Sequence, residues 1–137
     1  MTPEQLNARG KGCLPGHLGI TVTHWGKGET RLELAVKPIH MAPNGFLHAG
    51  AIVTLADTAC GYGCITNLPE GASGFTTVEL KSNHLGTARD GTIECHAKVV
   101  HAGRTTQVWE IRISDDRGRL VCVSRCTLAT VPREPKE

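Results

Sequence analysis

Residues 40–67, HMAPNGFLHAGAIVTLADTACGYGCITN, constrain the fold of this chain more than any other segment. Pro43, Asn44 and Gly45 are turn formers, and the stretch that follows holds no proline and a single charged side chain, Asp57. Read as a helix starting near Leu47, it has apolar side chains at Leu47, Ala49, Ala51, Ile52, Val53, Leu55, Ala56, Ala59, Cys60, Tyr62, Cys64 and Ile65. They leave no wide polar face, so the helix must be covered on nearly all sides. Gly50, Gly61 and Gly63 sit inside it, although each glycine costs roughly 1 kcal/mol relative to alanine in a helix interior. Close approach of other backbones supplies the reason, and a sheet wrapped around one central helix supplies the backbones.

The rest of the chain fits that cover. Thr2, Pro3 and Gln5 form a capping-box start with proline at the first helical position, which predicts a short helix over residues 3–9 ending at Gly10 and Gly12. Residues 18–25 and 30–36 are alternating or β-branched runs joined by Gly-Lys-Gly-Glu, a hairpin. From Phe75, Thr76, Val78 and Leu80 alternate with Thr77, Glu79 and Lys81, so one face is expected to be dry and the other polar. Residues 91–101, 105–114 and 120–131 are further strand candidates, with compact turns at 102–104 and 115–118. The order is helix, two strands, one long buried helix, then four strands in a meander. That order reads as α+β, a sharply twisted antiparallel sheet around one helix. The 137 residues form one domain, with residues 1–12 as an N-terminal arm and a charged, frayed tail from about residue 132.

Composition excludes several functions. The net charge of +2 comes without a concentrated basic stripe and aromatics are 4%, so neither duplex binding nor base stacking is indicated. The start MTPEQLNARGKG has no apolar core of a signal peptide and no uncharged run suits a membrane span, which makes the cytoplasm the default location. Six cysteines, Cys13, Cys60, Cys64, Cys95, Cys122 and Cys126, show neither a CxxC pair nor zinc-site spacing. They are expected to be buried, reduced thiols, with no disulfide framework and no metal. His17, His24, His40, His84, His96 and His101 likewise show no ligand spacing and read as surface or strand residues.

An ionised carboxylate in an apolar helix costs several kcal/mol unless it is paired or its pKa shifts, so Asp57 calls for an explanation, either a function or a buried structural carboxylate satisfied by backbone N–H groups or an arginine. His48 lies nine residues before it. On one helix that spacing points the two side chains in opposite directions, about 13 Å apart along the axis. Two antiparallel copies of the helix would bring His48 of one chain toward Asp57 of the other, which predicts a dimer with two equivalent interfacial sites. Ala49 and Gly50 fall where a helix N-terminus leaves N–H groups free to stabilise an oxyanion. Asp57 from the facing chain would then act as nucleophile or as general base toward water.

The motif PNGFLHAGAIVTLADTACGYG resembles that of hotdog-fold acyl-CoA thioesterases of the phenylacetate-pathway type, and the resemblance extends from LGITV through GFTTVELKSNHLGTA to GRTTQVWEIR. It implies the hotdog fold, a homodimer that assembles further into a homotetramer, no cofactor beyond the CoA of the substrate, and hydrolysis of an acyl-CoA thioester. It assigns His48 to orienting the thioester, the Ala49 N–H to polarising its carbonyl, Gly50 to supporting the turn and Asp57 to driving hydrolysis. In some members a Ser or Thr at the start of the following strand positions the nucleophile or water, and Thr77 falls there. Ala49 replaces the first glycine of the usual His-Gly-Gly; because the donor is a backbone N–H, alanine serves if its φ is negative. Ala42 stands where many members have Asn or Gln, and Asn44 is the nearby substitute. Some relatives carry Ser where this chain has Gly61. The phosphates of CoA call for basic residues at the mouth, with Arg104 favoured over Lys81, Arg89 and Arg117, and Gly61 and Gly63 would leave room for the acyl group. Two other readings stay open: a hotdog hydratase or dehydratase of acyl thioesters, and a non-catalytic acyl-CoA binding module. The acyl group, and the choice between CoA and carrier-protein thioesters, stay open as well.

Overall fold

The computed structural model describes residues 1–134; residues 135–137, the end of the expected tail, lie outside the described residues. Helix α1 spans Pro3–Gly10 and carries the expected capping box, in which Thr2 Oγ1 accepts from Gln5 N–H and Gln5 Oε1 accepts from Thr2 N–H. A second short helix follows, α2 over Leu14–Leu18, closed by Gly19 at φ 80°. Sequence alone gives no helix there: two glycines and a proline in seven residues read as a break. It forms because Gly16 packs on the end of α1, where a Cβ would stand 2.3 Å from Gly10 O.

The sheet strands are β1 (Ile20–Gly26), β2 (Glu29–Ala35), β3 (Ala72–His84), β4 (Thr92–Ala102), β5 (Thr106–Ser114) and β6 (Leu120–Pro132). The long helix α3 covers Ala49–Ile65. All pairs are antiparallel and the order across the sheet is β1-β2-β4-β5-β6-β3. The four-strand meander is therefore corrected. Only β4, β5 and β6 meander, while β3 crosses to the far edge and pairs with β6, and β4 pairs with β2. The chain leaves α3 on the opposite side of the sheet from the one it entered, and β3 takes the edge available there.

Edge position also overturns the dry face expected of β3. A register shift between Thr77 and Glu79 leaves Val78 in a bulge, 64% exposed, and Thr76 is exposed too; only Phe75 and Leu80 pack on the core. The tail expected to fray holds its first residues: Pro132 ends β6 and Arg133 N–H donates to Gly71 O at 2.8 Å.

Helix α3 lies against the concave side of the sheet, touching every strand from β1 to β6. Its carbonyls are tied to sheet side chains: Thr30 Oγ1 donates to Ala59 O at 2.9 Å, Trp25 Nε1 to Tyr62 O at 2.8 Å and Gln107 Nε2 to Cys64 O at 3.2 Å. The last two fall in the final helical turn, where carbonyls lack intrahelical partners. The glycines are explained by contact. A Cβ on Gly63 would stand 2.6 Å from Trp109 Cη2 and Cζ3, and one on Gly61 3.0 Å from Phe75 Cζ. The room expected there for an acyl group is therefore filled by two aromatic rings.

Five of the six cysteines are buried as expected, whereas Cys13 is exposed. His40 departs from the surface reading: it is 1% exposed, in a 3-10 turn over Pro38–His40, with Nδ1 accepting from Lys37 N–H and Nε2 against Leu18 O at 2.7 Å.

Two stability outcomes follow from these contacts. Trp109 cannot yield, because its Nε1 donates to Gln107 Oε1. Gly63→Ala should therefore destabilise the fold by about 1–3 kcal/mol from overpacking, against a helix-propensity gain of only about 1 kcal/mol; a urea midpoint equal to or above wild type would contradict it. In the β5–β6 turn, the Arg119 and Arg117 backbone N–H groups and the Arg119 guanidinium hold the Asp115 carboxyl below its ordinary 3.8. A depressed carboxyl contributes stability that is fully present above pH 3.8 and lost as pH falls through the lower folded value. Asp115→Asn should remove this part of the acid sensitivity, read as a shallower loss of melting temperature below pH 4.

Candidate active site

The N-terminus of α3 is aimed by the loop before it. Met41 and Leu47 form an isolated bridge, Gly45 at φ 85° closes the turn between them, and Leu47 N–H donates to Thr87 Oγ1 at 3.0 Å. The His40 carbonyl accepts from His48 N–H at 2.9 Å, so the buried His40 fixes the residue that starts the helix. His48 is the N-cap, and its Nδ1 accepts from Gly50 N–H at 2.7 Å. With Nδ1 used as an acceptor, the neutral ring carries its proton on Nε2 and presents a donor to solvent. A Cβ on Gly50 would lie 2.9 Å from that Nδ1, so the ring can dock only on glycine.

Ala49 occupies the first helical position, where a backbone N–H has no intrahelical acceptor. No non-glycine residue has positive φ among the described residues, so Ala49 meets the condition for replacing glycine. Its N–H lies at the positive end of the helix, next to the His48 cap. Gly50 N–H, by contrast, is consumed by the cap and serves the turn.

Asp57 sits mid-helix, partly exposed, and its Oδ1 accepts from Thr77 Oγ1 at 2.8 Å. Both face an open groove of about 490 Å³ lined by Leu14, Pro15, Val53, Thr54, Thr58 and Leu80 as well. His48 does not line this groove. One chain thus brings Asp57 and Thr77 together and leaves His48 and Ala49 apart from them, as the nine-residue spacing requires. Beneath Asp57, a hydrogen bond with Cys126 and burial push the Cys60 thiol far up, and burial raises Cys64 to about 11.

The other expected residues are dispersed. Asn44 Oδ1 accepts from Phe46 N–H at 3.2 Å, so its side chain shapes the loop. The Arg89 guanidinium lies 5.5 Å from the centroid of the Phe46 ring, two residues before His48. Arg104 lines a different hollow, beside Pro69 and Glu70, at the end of α3 away from His48. Lys81 lies with Glu110 and Arg125 on the sheet.

Leu14, Pro15, Val53, Thr54, Thr58 and Leu80 escaped the sequence reading as groove residues. For Val53, Thr54 and Thr58 a signal existed, since residues one, three and four positions from Asp57 share or adjoin its helical face. Leu14 and Pro15 had none, because α2 was not foreseen.

Residues 44–122 match the thioesterase superfamily. Over 132 residues the chain is 38% identical to the 1,4-dihydroxy-2-naphthoyl-CoA hydrolase of Escherichia coli, covering 94% of each chain. It is 34% identical to the proofreading thioesterase EntH of Cronobacter turicensis, covering 96% of this chain and 95% of the relative. The crystal structure of a mutant thioesterase from Pseudomonas aeruginosa superposes with a TM-score of 0.91 at 34% identity, over 96% of this chain and 95% of that one.

The docking of His48 on Gly50 gives a local test. Gly50→Ala should expel the ring from its cap, so that the Nδ1 resonance of His48 in a nitrogen NMR spectrum moves to its position in an unbonded imidazole. An unchanged Nδ1 resonance would show that the ring does not rest on Gly50.

Proposed function

We propose that this chain, which belongs to the thioesterase superfamily, hydrolyses acyl-CoA thioesters at sites shared between two copies of itself. The observation that supports the reading best is the Asp57 carboxylate, held by Thr77 in a groove with apolar walls and set apart from the oxyanion donors at Ala49 and His48. Separation within one chain makes sense if a second copy supplies the other half. Antiparallel pairing of α3 with its symmetry mate lays the N-terminus of one helix along the Asp57 groove of the other.

In that arrangement the thioester carbonyl accepts from Ala49 N–H and His48 Nε2–H, which strengthen as its oxygen gains charge. Asp57 of the facing copy attacks the carbonyl carbon itself or takes a proton from the water that does. The C–S bond breaks and CoA leaves as a thiolate. Water supplies hydroxide to the acyl group and a proton to the sulfur. Thr77 holds one carboxylate oxygen and leaves the other for chemistry. Leu14, Pro15, Val53 and Leu80 receive an apolar or aryl acyl group. Two-fold pairing carries Arg104 of one copy toward the His48 and Arg89 end of the other, a setting for the CoA phosphates, with Lys81 further out.

The test follows thiol release from a panel of acyl-CoA esters with a disulfide dye. Asp57→Asn keeps the shape of the side chain and removes its basicity, so it should fold with an unchanged melting temperature and lose roughly 100-fold or more in kcat. His48→Ala should be similarly weak. Mixing the two inactive chains should restore about a quarter of wild-type activity, because half the dimers then hold one intact composite site. Full activity in Asp57→Asn would sink the role of the carboxylate, and mixtures with no recovery would sink the shared site.

A further inference from the structure

The carboxylate of Asp57 is one corner of a cluster that thioester hydrolysis does not use. A carboxylate oxygen of Asp57, Cys60 Sγ and Cys126 Sγ all lie within 4.8 Å of one another. We propose that Asp57, Cys60 and Cys126 form a binding site for one thiophilic divalent cation of the zinc or cadmium class, and that its occupancy switches the carboxylate off. The site stands on geometry alone; only the inhibition rests on the hydrolytic role given to Asp57 above.

Two elements build the cluster. On α3, Asp57 and Cys60 are three residues apart and share a face. From β6, Cys126 pairs with Leu80 of β3, itself a groove residue, and with Trp109 of β5, and so brings its thiol under the helix. Tetrahedral zinc with two sulfur ligands and one oxygen ligand spaces its donors by about 3.5–3.8 Å. From separations of up to 4.8 Å the cluster therefore has to contract by no more than about 1.3 Å, within reach of side-chain rotation. Two thiolates select a soft cation over magnesium or calcium. Thr77 Oγ1 already donates to Asp57 Oδ1 at 2.8 Å, the kind of outer-shell bond that orients a ligating carboxylate.

Access runs one way. Both thiols are buried while Asp57 opens to the groove, so the cation enters past the carboxylate and its fourth position, filled by water, faces the groove. Binding forms two metal–sulfur bonds and one metal–oxygen bond and releases two thiol protons to solvent. The Cys60 thiol, which otherwise donates to Asp57 O at 3.3 Å, gives up one of them. Affinity consequently rises with pH. A coordinated Asp57 can neither attack a carbonyl nor accept a proton from water.

The experiment titrates the reduced full chain with cobalt(II) chloride as a coloured stand-in for zinc. Wild type should develop thiolate-to-cobalt charge-transfer absorption and the visible bands of a tetrahedral site, saturating at one cobalt per chain and bleached by zinc chloride. Cys126→Ala should lose these signals. Cys122→Ala, which removes a neighbouring buried thiol next to Ser124, should keep them. Cys60→Ala, expected to behave like Cys126→Ala, decides the question if the latter does not fold. A spectrum without thiolate bands, or bands that survive both ligand substitutions, overturns the site. In parallel, zinc chloride should depress thiol release by wild type roughly tenfold or more, with recovery on chelation, and leave Cys126→Ala resistant. Equal inhibition of Cys126→Ala would overturn the switch. If metal-free wild type releases no thiol from any ester, the hydrolytic reading fails while the cobalt spectra still decide the site.

Discussion

Trp109 lying on Gly63 is the contact on which the rest of the fold depends. The indole is wholly buried, and the helix backbone comes so near that no side chain fits between them. Gln107 holds the ring through its Nε1 and at the same time donates to the last turn of α3, so ring, strand and helix are fixed as a unit. Such closeness lets six strands reach one helix, and it makes the apolar excess of α3 a source of stability instead of an aggregation hazard.

Closeness on one side leaves the other side for function. With much of its C-terminal half covered by Trp25, Thr30, Gln107, Trp109 and Phe75, α3 opens along the strip that carries Val53, Thr54, Asp57 and Thr58, and at its N-terminus. The bulge at Val78 bends β3 beside that strip and coincides with the register step after Thr77, the residue that reaches Asp57. Bulges commonly re-aim side chains at sheet edges, and here the bulge sets a hydroxyl on the carboxylate.

How much of this could be read from the chain divides by range. The capping box of α1 and the span and cover of α3 are local or periodic, and both were legible. The pairing of β3 with β6 was not, because alternation reports which face of a strand is dry and never which neighbour it takes. Val78 shows the cost: it sits in phase with Leu80, yet an edge bulge exposes it. His40 was hidden for a different reason, since its burial is created by the Leu18 carbonyl, which arrives from α2. At the candidate site, Asp57 and His48 were legible from spacing and charge, and Thr77 from a family resemblance that the 2.8 Å hydrogen bond now gives a geometry. Gly61 and Gly63 were legible as tight contacts, but what fills the contact is a pair of aromatic rings from distant strands.

The same limit explains why the thiols beside Asp57 carry no sequence signal. Cys60 and Cys126 are separated by the whole crossover from α3 to β6, and metal-site spacing rules describe ligands grouped along the chain. Only the sheet order, with β6 between β5 and β3, lays Cys126 under the helix turn that holds Asp57 and Cys60. Burial then separates the two chemistries of the cluster. The thiols of Cys60 and Cys126 are buried between helix and sheet, and their hydrogen bond and burial favour the protonated form of Cys60, while the carboxylate stands at the edge of the groove. The exposed carboxylate is thereby the way in to two buried thiols.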